Sequence, residues 1–361
     1  MAAACLALGL ATLGAKPSSL IVTAHGLYGG ACNLAVLEEA LRARGGPDVL
    51  VHAATCNEGR TRDGVAAGGR RLADEVREVV RRHPTLTRLS LVGNSLGGLF
   101  VRFAAAELLD EAGTLAGLLP DSLVTIGCPH LGVSSFLYLP VPPPLYALGN
   151  LIAGKTAEDL LLRDAERPLL LRMAEPAGRF GVALRAFDRR RVYANLRGDA
   201  MVPFGTAAIE GGDNWGEGYR DESMARRFAE LACRRGGACV DEAVLRGDVD
   251  GIAVVAEYVE QPAHELDPPS KRAPGRPGSV PRMTADMSAR LNAAGWSKVA
   301  VSFRSASTHM PLAHNRIAAL RREGWRQLFE MVERTGQGRP IMDHAAAYIV
   351  GVRSSEIFRP L

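Results

Sequence analysis

Apolar residues in this chain follow two patterns that alternate along most of its length. Short, nearly unbroken apolar runs occur at 19–24 (SLIVTA), 48–53, 89–92, 122–127 (SLVTIG), 191–196 (RVYANL), 252–259 (IAVVAEYV) and 298–303 (KVAVSF). Runs of that length and continuity predict strands, and most suit a parallel sheet buried on both faces. Between them the apolar period lengthens. Helices are predicted over 33–43, 96–109, 283–294 and from about 315 to 333. A long helix is predicted after Thr61-Arg62-Asp63-Gly64, a tetrapeptide that reads as its cap, with Val65, Leu72, Val76, Val79 and Val80 on one stripe. Strands alternating with helices predict an α/β fold whose mostly parallel central sheet is flanked by helices.

Two stretches break that rhythm. The segment 140–154 (PVPPPLYALGNLIAG) is proline-rich and apolar, with short helical pieces after it at 160–162 and 169–171. A cap insertion over about 133–188 accounts for it, and its apolar character points to a greasy substrate. Residues 261–281 are rich in Pro, Ser, Arg and Gly and read as a flexible surface loop. Residues 1–18 form a hydrophobic leader without a positive n-region, and Leu13-Gly14-Ala15 is a poor cleavage site because Leu13 is not small. The main domain is expected over 19–335, with a C-terminal tail over 336–361. No run of about eighteen apolar residues suggests a membrane span, so a soluble, cytoplasmic or organellar protein is expected rather than a secreted one.

Candidate chemistry begins at RLSLVGNSLGGLFVR, residues 88–102. An apolar strand, then Gly93-Asn94-Ser95-Leu96-Gly97, then a helix is the sequence form of a nucleophile elbow. The turn is so sharp that a Cβ at Gly93 or Gly97 would meet neighbouring backbone. It would present the Ser95 hydroxyl at the top of the sheet and the Leu96 N–H, at the helix start, to an oxyanion. The first strand ends in His25-Gly26-Leu27-Tyr28-Gly29-Gly30, where a second oxyanion donor belongs, and position assigns it to the Leu27 N–H. His25 itself reads as a structural histidine. His130, in Cys128-Pro129-His130-Leu131-Gly132, either lines the pocket or packs, and packing is the better reading.

An acid is expected on a loop after a strand downstream of the serine, and Asp199 in RGDAMVP fits. Asp188, Asp213 and Asp221 compete less well, the first in a helix-like stretch and the others without a strand before them. His309 and His314 both follow the last strand, and spacing alone does not choose between them as base. The formal net charge is +4 over 361 residues, with arginines usually beside acids; no basic stripe interleaved with aromatics suggests nucleic-acid binding. Six cysteines are spread without metal-like spacing; Cys233 and Cys239 could bridge locally, but reduced thiols are the simpler reading.

Together these motifs resemble the lipase-like serine esterases of the α/β-hydrolase superfamily, especially their plant and algal branch. The resemblance rests on VTAHGL, CNEGRTRDGV, GNSLGGLFVR, CPHLG, the block from PLLLRM through RAFDRRRVYANLRGDAMVPF, and KVAVSF with AHNRI. It implies an α/β-hydrolase fold, Ser95 as nucleophile, Asp199 as acid, His314 as base and the Leu27 and Leu96 amides as oxyanion donors. Asn94 departs from the histidine that many relatives carry there. An acyl ester or lipid would be the substrate, with transient contact at a membrane surface, and no metal or organic cofactor is called for. An acyltransferase using the same triad and a non-catalytic binding protein of this fold are the rival readings.

Overall fold

A computed structural model describes residues 16–135, 153–196, 198–199, 201–211, 252–260, 278–303, 313–321 and 335–351. Among them seven strands form one sheet: β1 (Ser19–Ala24), β2 (Val49–Ala53), β3 (Arg88–Asn94), β4 (Leu119–Ile126), β5 (Arg189–Asn195), β6 (Ile252–Glu260) and β7 (Trp296–Phe303). Their order is β2-β1-β3-β4-β5-β7-β6. Every neighbouring pair is parallel except β6 with β7, so an antiparallel edge strand finishes a six-stranded parallel sheet. This is the sheet of an α/β-hydrolase-type fold, as the strand–helix alternation leads one to expect.

The chain runs outward from β1 to β2, then crosses back to place β3 on the other side of β1. Loops leaving the C-terminal ends of β1 and β3 therefore diverge. Open α/β sheets bind ligands in the crevice that such a reversal leaves.

Alternate residues of β1 and β3 feed two cores. Leu20 and Val22 of β1 and Leu89 and Leu91 of β3 join one, while Ile21 and Val92 join the other. The first core is covered by α2 (Val65–Arg82) and α3 (Leu96–Leu108), whose Leu72, Val76, Leu99 and Phe100 are fully buried. The second is covered by α1 (Ala35–Gly45) through Leu37 and Leu41. Each fully buried Leu or Phe contributes about 1.5–3 kcal/mol of burial free energy, so these two layers hold the strand ends in place.

The insertion after β4 contributes α4 (Lys155–Leu160), α5 (Leu169–Met173) and α6 (Arg179–Ala186). The apolar segment 140–152 lies outside the described residues. After β5 come the short α7 (Phe204–Ala207) and α8 (Val280–Asn292), and after β7 the five-residue α9 (Ala313–Ile317) and then α10 (Arg339–Val350). Most of loop 261–281, and both Cys233 and Cys239, also fall outside the described residues; Cys56 and Cys128 are free thiols.

Three local expectations are corrected. The tetrapeptide 61–64 does not cap α2 with its own side chains: Asp159 of α4 accepts the Val65 N–H at 2.7 Å, and Thr156 accepts the Gly64 N–H at 3.1 Å. Asp63 turns instead to Arg71, 2.7 Å away. The stretch expected as a tail contains α10, which buries Ile341, Met342, Ala345 and Ala346 in the second core. Of the helix expected from about 315 to 333, residues 322–333 lie outside the described residues; in the described part it starts at Ala313 and stops at Ile317, and Ala319 then takes a left-handed φ of 46°. Among the described residues no helix is long and apolar enough to cross a membrane.

Candidate active site

At the end of β3 the backbone turns through Ser95 at φ 52°, ψ −127° and enters α3 at once. A non-glycine residue held there stores about 1–3 kcal/mol of strain, which the surroundings must over-determine. They do. The Ser95 N–H donates to Ile126 O at the end of β4 at 2.8 Å, and Ser95 O accepts the Gly98 N–H at 2.9 Å. A Cβ on Gly97 would lie 2.2 Å from Ala24 O, and one on Gly93 would lie 2.4 Å from the Gly98 Cα, so both flanks of the turn require glycine.

The loop after β1 lies directly against this turn: a Cβ on Gly26 would come within 2.8 Å of the Ser95 Cβ. Its amides are largely committed. Tyr28 N–H donates to Thr61 Oγ1 (3.0 Å), Gly29 N–H to Gly26 O (3.1 Å) and Gly30 N–H to Asn33 Oδ1 (3.1 Å). Leu27 lines the cleft beside Ser95, and its amide takes no such bond among the described residues. Leu96 follows Ser95 as the first residue of α3, where a helix amide has no intrahelical acceptor; its side chain is buried in the first core.

Asp199 sits on the loop after β5 and is 1% exposed. Its Oδ1 accepts the backbone N–H groups of Met201 (3.2 Å) and Val202 (2.8 Å). Its Oδ2 accepts Asn195 Nδ2 at 3.0 Å and His314 Nδ1 at 2.9 Å. Because the carboxylate can only accept, His314 carries a proton on Nδ1 and turns Nε2 away from Asp199. His314, on α9, and Ser95 line the same cleft, about 290 Å³ in volume. Tyr28, Met201 and Leu320 add apolar wall, and Tyr28 and Met201 are more than half exposed. No described residue of the insertion 133–188 lines this cleft.

The competing residues go elsewhere. Asp188 precedes β5, at the opposite end of that strand from the cleft, and pairs with Arg88 at 3.2 Å. Asp213, Asp221 and His309 lie outside the described residues. His130 is fully buried and packs edge-on against Trp296. It accepts from Arg102 Nη1 (3.2 Å) and donates to Thr125 Oγ1 (2.8 Å). Burial, with the Arg102 and Lys298 charges nearby, holds its pKa well below the usual histidine value, so it is a neutral packing group. Burial likewise lowers His25, whose Nδ1–H donates to Gly26 O at 3.0 Å and braces the loop after β1.

Two asparagines escape the motif reading. Asn195 donates from one amide nitrogen both to Asp199 and to Ala313 O, each at 3.0 Å, and so joins the acid to the start of α9. Its place at the end of a strand, four residues before the acid, was the available signal. Asn33 lines the cleft from the turn after the glycine loop.

The family model described as "Putative serine esterase (DUF676)" matches residues 15–209. The chain belongs to that family. The family match takes in Leu27, Ser95 and Asp199 and stops short of His314. A "Putative lipase" of Schizosaccharomyces pombe is 30% identical over 213 residues, covering 54% of this chain and 26% of its own length. A "Putative lipase" of Saccharomyces cerevisiae is 26% identical over 224 residues, covering 54% and 32%. The esterase-family chain thus spans a quarter to a third of the length of these curated relatives. Among solved structures, phospholipase PlaB from Legionella pneumophila in complex with thio-NAD aligns at 14% identity and a TM-score of 0.35, over 52% of this chain and 40% of that one. A likeness that slight bears on neither fold nor chemistry.

Proposed function

We propose that this chain is a serine hydrolase that cleaves carboxylic acyl esters, with lipid esters as its substrate class. The observation that carries the reading is the 2.9 Å contact of His314 Nδ1 with the buried Asp199, in a ring that shares one cleft with the strained Ser95. Family membership and the apolar cleft wall support it.

In this reading His314 Nε2 takes the Ser95 hydroxyl proton as Oγ attacks the acyl carbonyl carbon. Such pairs often close to hydrogen-bond distance only once substrate is bound. Negative charge passes to the carbonyl oxygen, which accepts from the Leu27 and Leu96 N–H groups, each worth about 3 kcal/mol in the transition state. Collapse breaks the ester C–O bond, and the leaving alkoxide takes the proton from His314. Water then attacks the acyl-enzyme while His314 removes its proton; a second collapse returns that proton to Ser95 Oγ and frees the acid. Asp199 fixes the tautomer and stabilises the imidazolium without taking the proton.

Hydrolysis of p-nitrophenyl esters by purified variants tests this. Ser95→Ala and His314→Ala should each lose roughly 10⁴–10⁶-fold in rate, with Ser95 the site of fluorophosphonate labelling, while His309→Ala keeps most activity. Near-wild-type turnover by Ser95→Ala overturns the reaction; loss in His309→Ala instead of His314→Ala moves the base.

A further inference from the structure

The loop after β1 and the segment carrying His314 are almost 290 residues apart, and a single side chain bonds to both. Asn33 Oδ1 accepts the Gly30 N–H at 3.1 Å, and Asn33 Nδ2 donates to Arg321 O at 2.6 Å. Backbone bonds reinforce each half: Asn33 N–H donates to Gly30 O at 3.0 Å, and Arg321 N–H to Asn33 O at 3.1 Å. We propose that Asn33 is a positioning residue, a clasp that sets the Leu27 amide and the His314 imidazole at a fixed separation across the cleft. The inference rests on the reaction proposed above.

Three features favour that role over plain loop packing. First, the clasp spans the groups that must act together. Leu27 is three residues before Gly30, and α9 is so short that His314 lies only seven residues before Arg321. Second, α9 is held at its start by Asn195, which donates to Ala313 O at 3.0 Å, so Asn33 supplies the matching restraint beyond its end. Third, the other link at Arg321 is weak. Its guanidinium pairs with Glu39 at 2.6 Å, but both side chains are nearly half exposed, and exposed pairs contribute about 0–1 kcal/mol. The amide, with one acceptor and one donor on a short planar group, spans the two segments with fewer free torsions than that long pair, although its bond to Arg321 O is also exposed.

The amide's two ends can be separated by mutation. Asn33→Asp keeps the acceptor for Gly30 N–H and sets an anionic oxygen against Arg321 O; Asn33→Ala removes both ends. Each should lower kcat about 10- to 100-fold with KM changed less than about threefold, as expected when reacting groups are displaced by a fraction of an ångström or more. Hydrogen exchange of the intact protein provides a readout independent of turnover. Asn33→Asp should speed exchange over 313–321 only, and Asn33→Ala over both 26–30 and 313–321, with the central strands unchanged.

Wild-type kcat and exchange in Asn33→Asp would overturn the clasp. A raised KM at unchanged kcat would overturn it in favour of direct substrate contact, and faster exchange throughout the sheet in both variants would overturn it in favour of a merely structural role. If wild-type turnover does not depend on Ser95, the reaction is wrong, and the exchange pattern alone then decides whether Asn33 couples the two segments.

Discussion

Replacing Asp159 by asparagine should stabilise the protein at neutral pH and leave it nearly unchanged near pH 4. Asp159 caps α2 from α4, its Oδ2 2.7 Å from the Val65 N–H, and is 3% exposed. Burial raises its pKa from 3.8 to about 6, with Asp164 and Glu158 pushing the same way against the Val65 amide and Lys155. The folded protein therefore binds this proton more tightly than the unfolded chain does. The stability it confers is fully present below about pH 4 and is lost as pH rises through about 6. At about 1.4 kcal/mol per pKa unit, a rise of roughly two units leaves an anion that costs about 3 kcal/mol at pH 7–8. Asparagine keeps an acceptor for Val65 and carries no charge. Urea midpoints of both proteins from pH 4 to pH 8 should coincide at the acid end, separate through pH 6 and run parallel above it. A constant offset at every pH, or a variant less stable at pH 8, would refute the reasoning, because the α2 amides would then hold the anion more strongly than burial opposes it.

Two further outcomes follow from the cleft. Asp199→Asn puts an amide where the N–H groups of Met201 and Val202, Asn195 Nδ2 and His314 Nδ1 all donate, so kcat should fall about 10³–10⁴-fold with KM little changed; a loss below tenfold in a folded variant would remove Asp199 from the reaction. Met201→Ser strips apolar surface from the cleft wall, so kcat/KM should fall more for long acyl esters than for acetate, by about fourfold for each methylene left uncovered at ~0.8 kcal/mol. Superimposable chain-length profiles would show that the acyl chain does not pass Met201.

The parallel sheet was legible because its strands carry solid apolar runs, and the elbow because its three parts are contiguous in sequence. Features made by distant partners were not. Nothing near Val65 announces that its amide is capped by Asp159, 94 residues on. In α10, three successive alanines beside His344 dilute the apolar period, so the helix declares itself only by packing on α1. The apolar period after His314 does continue through Leu320, yet α9 stops at Ile317. There the Ala319 N–H bonds to Arg316 O and the Arg321 N–H to Asn33 O, so tertiary contact takes the backbone away from the helix that propensity favours.

That early stop bears directly on the site. Had α9 run on as its apolar period suggests, the amide and carbonyl of Arg321 would have been spent inside the helix, and Asn33 would have found neither. Ending at Ile317 frees them to meet the loop after β1, while Asn195 holds the other end of α9 beside Asp199. Ser95 needs no such arrangement, since β3, β4 and the glycines of its own turn hold it. Ser95 is therefore placed by its own turn and the strands beside it, and His314 by bonds from residues far away in sequence. Substitutions that loosen His314 without unfolding the chain should accordingly cluster at Asn33, Asn195 and the 319–321 turn, well away from the serine motif.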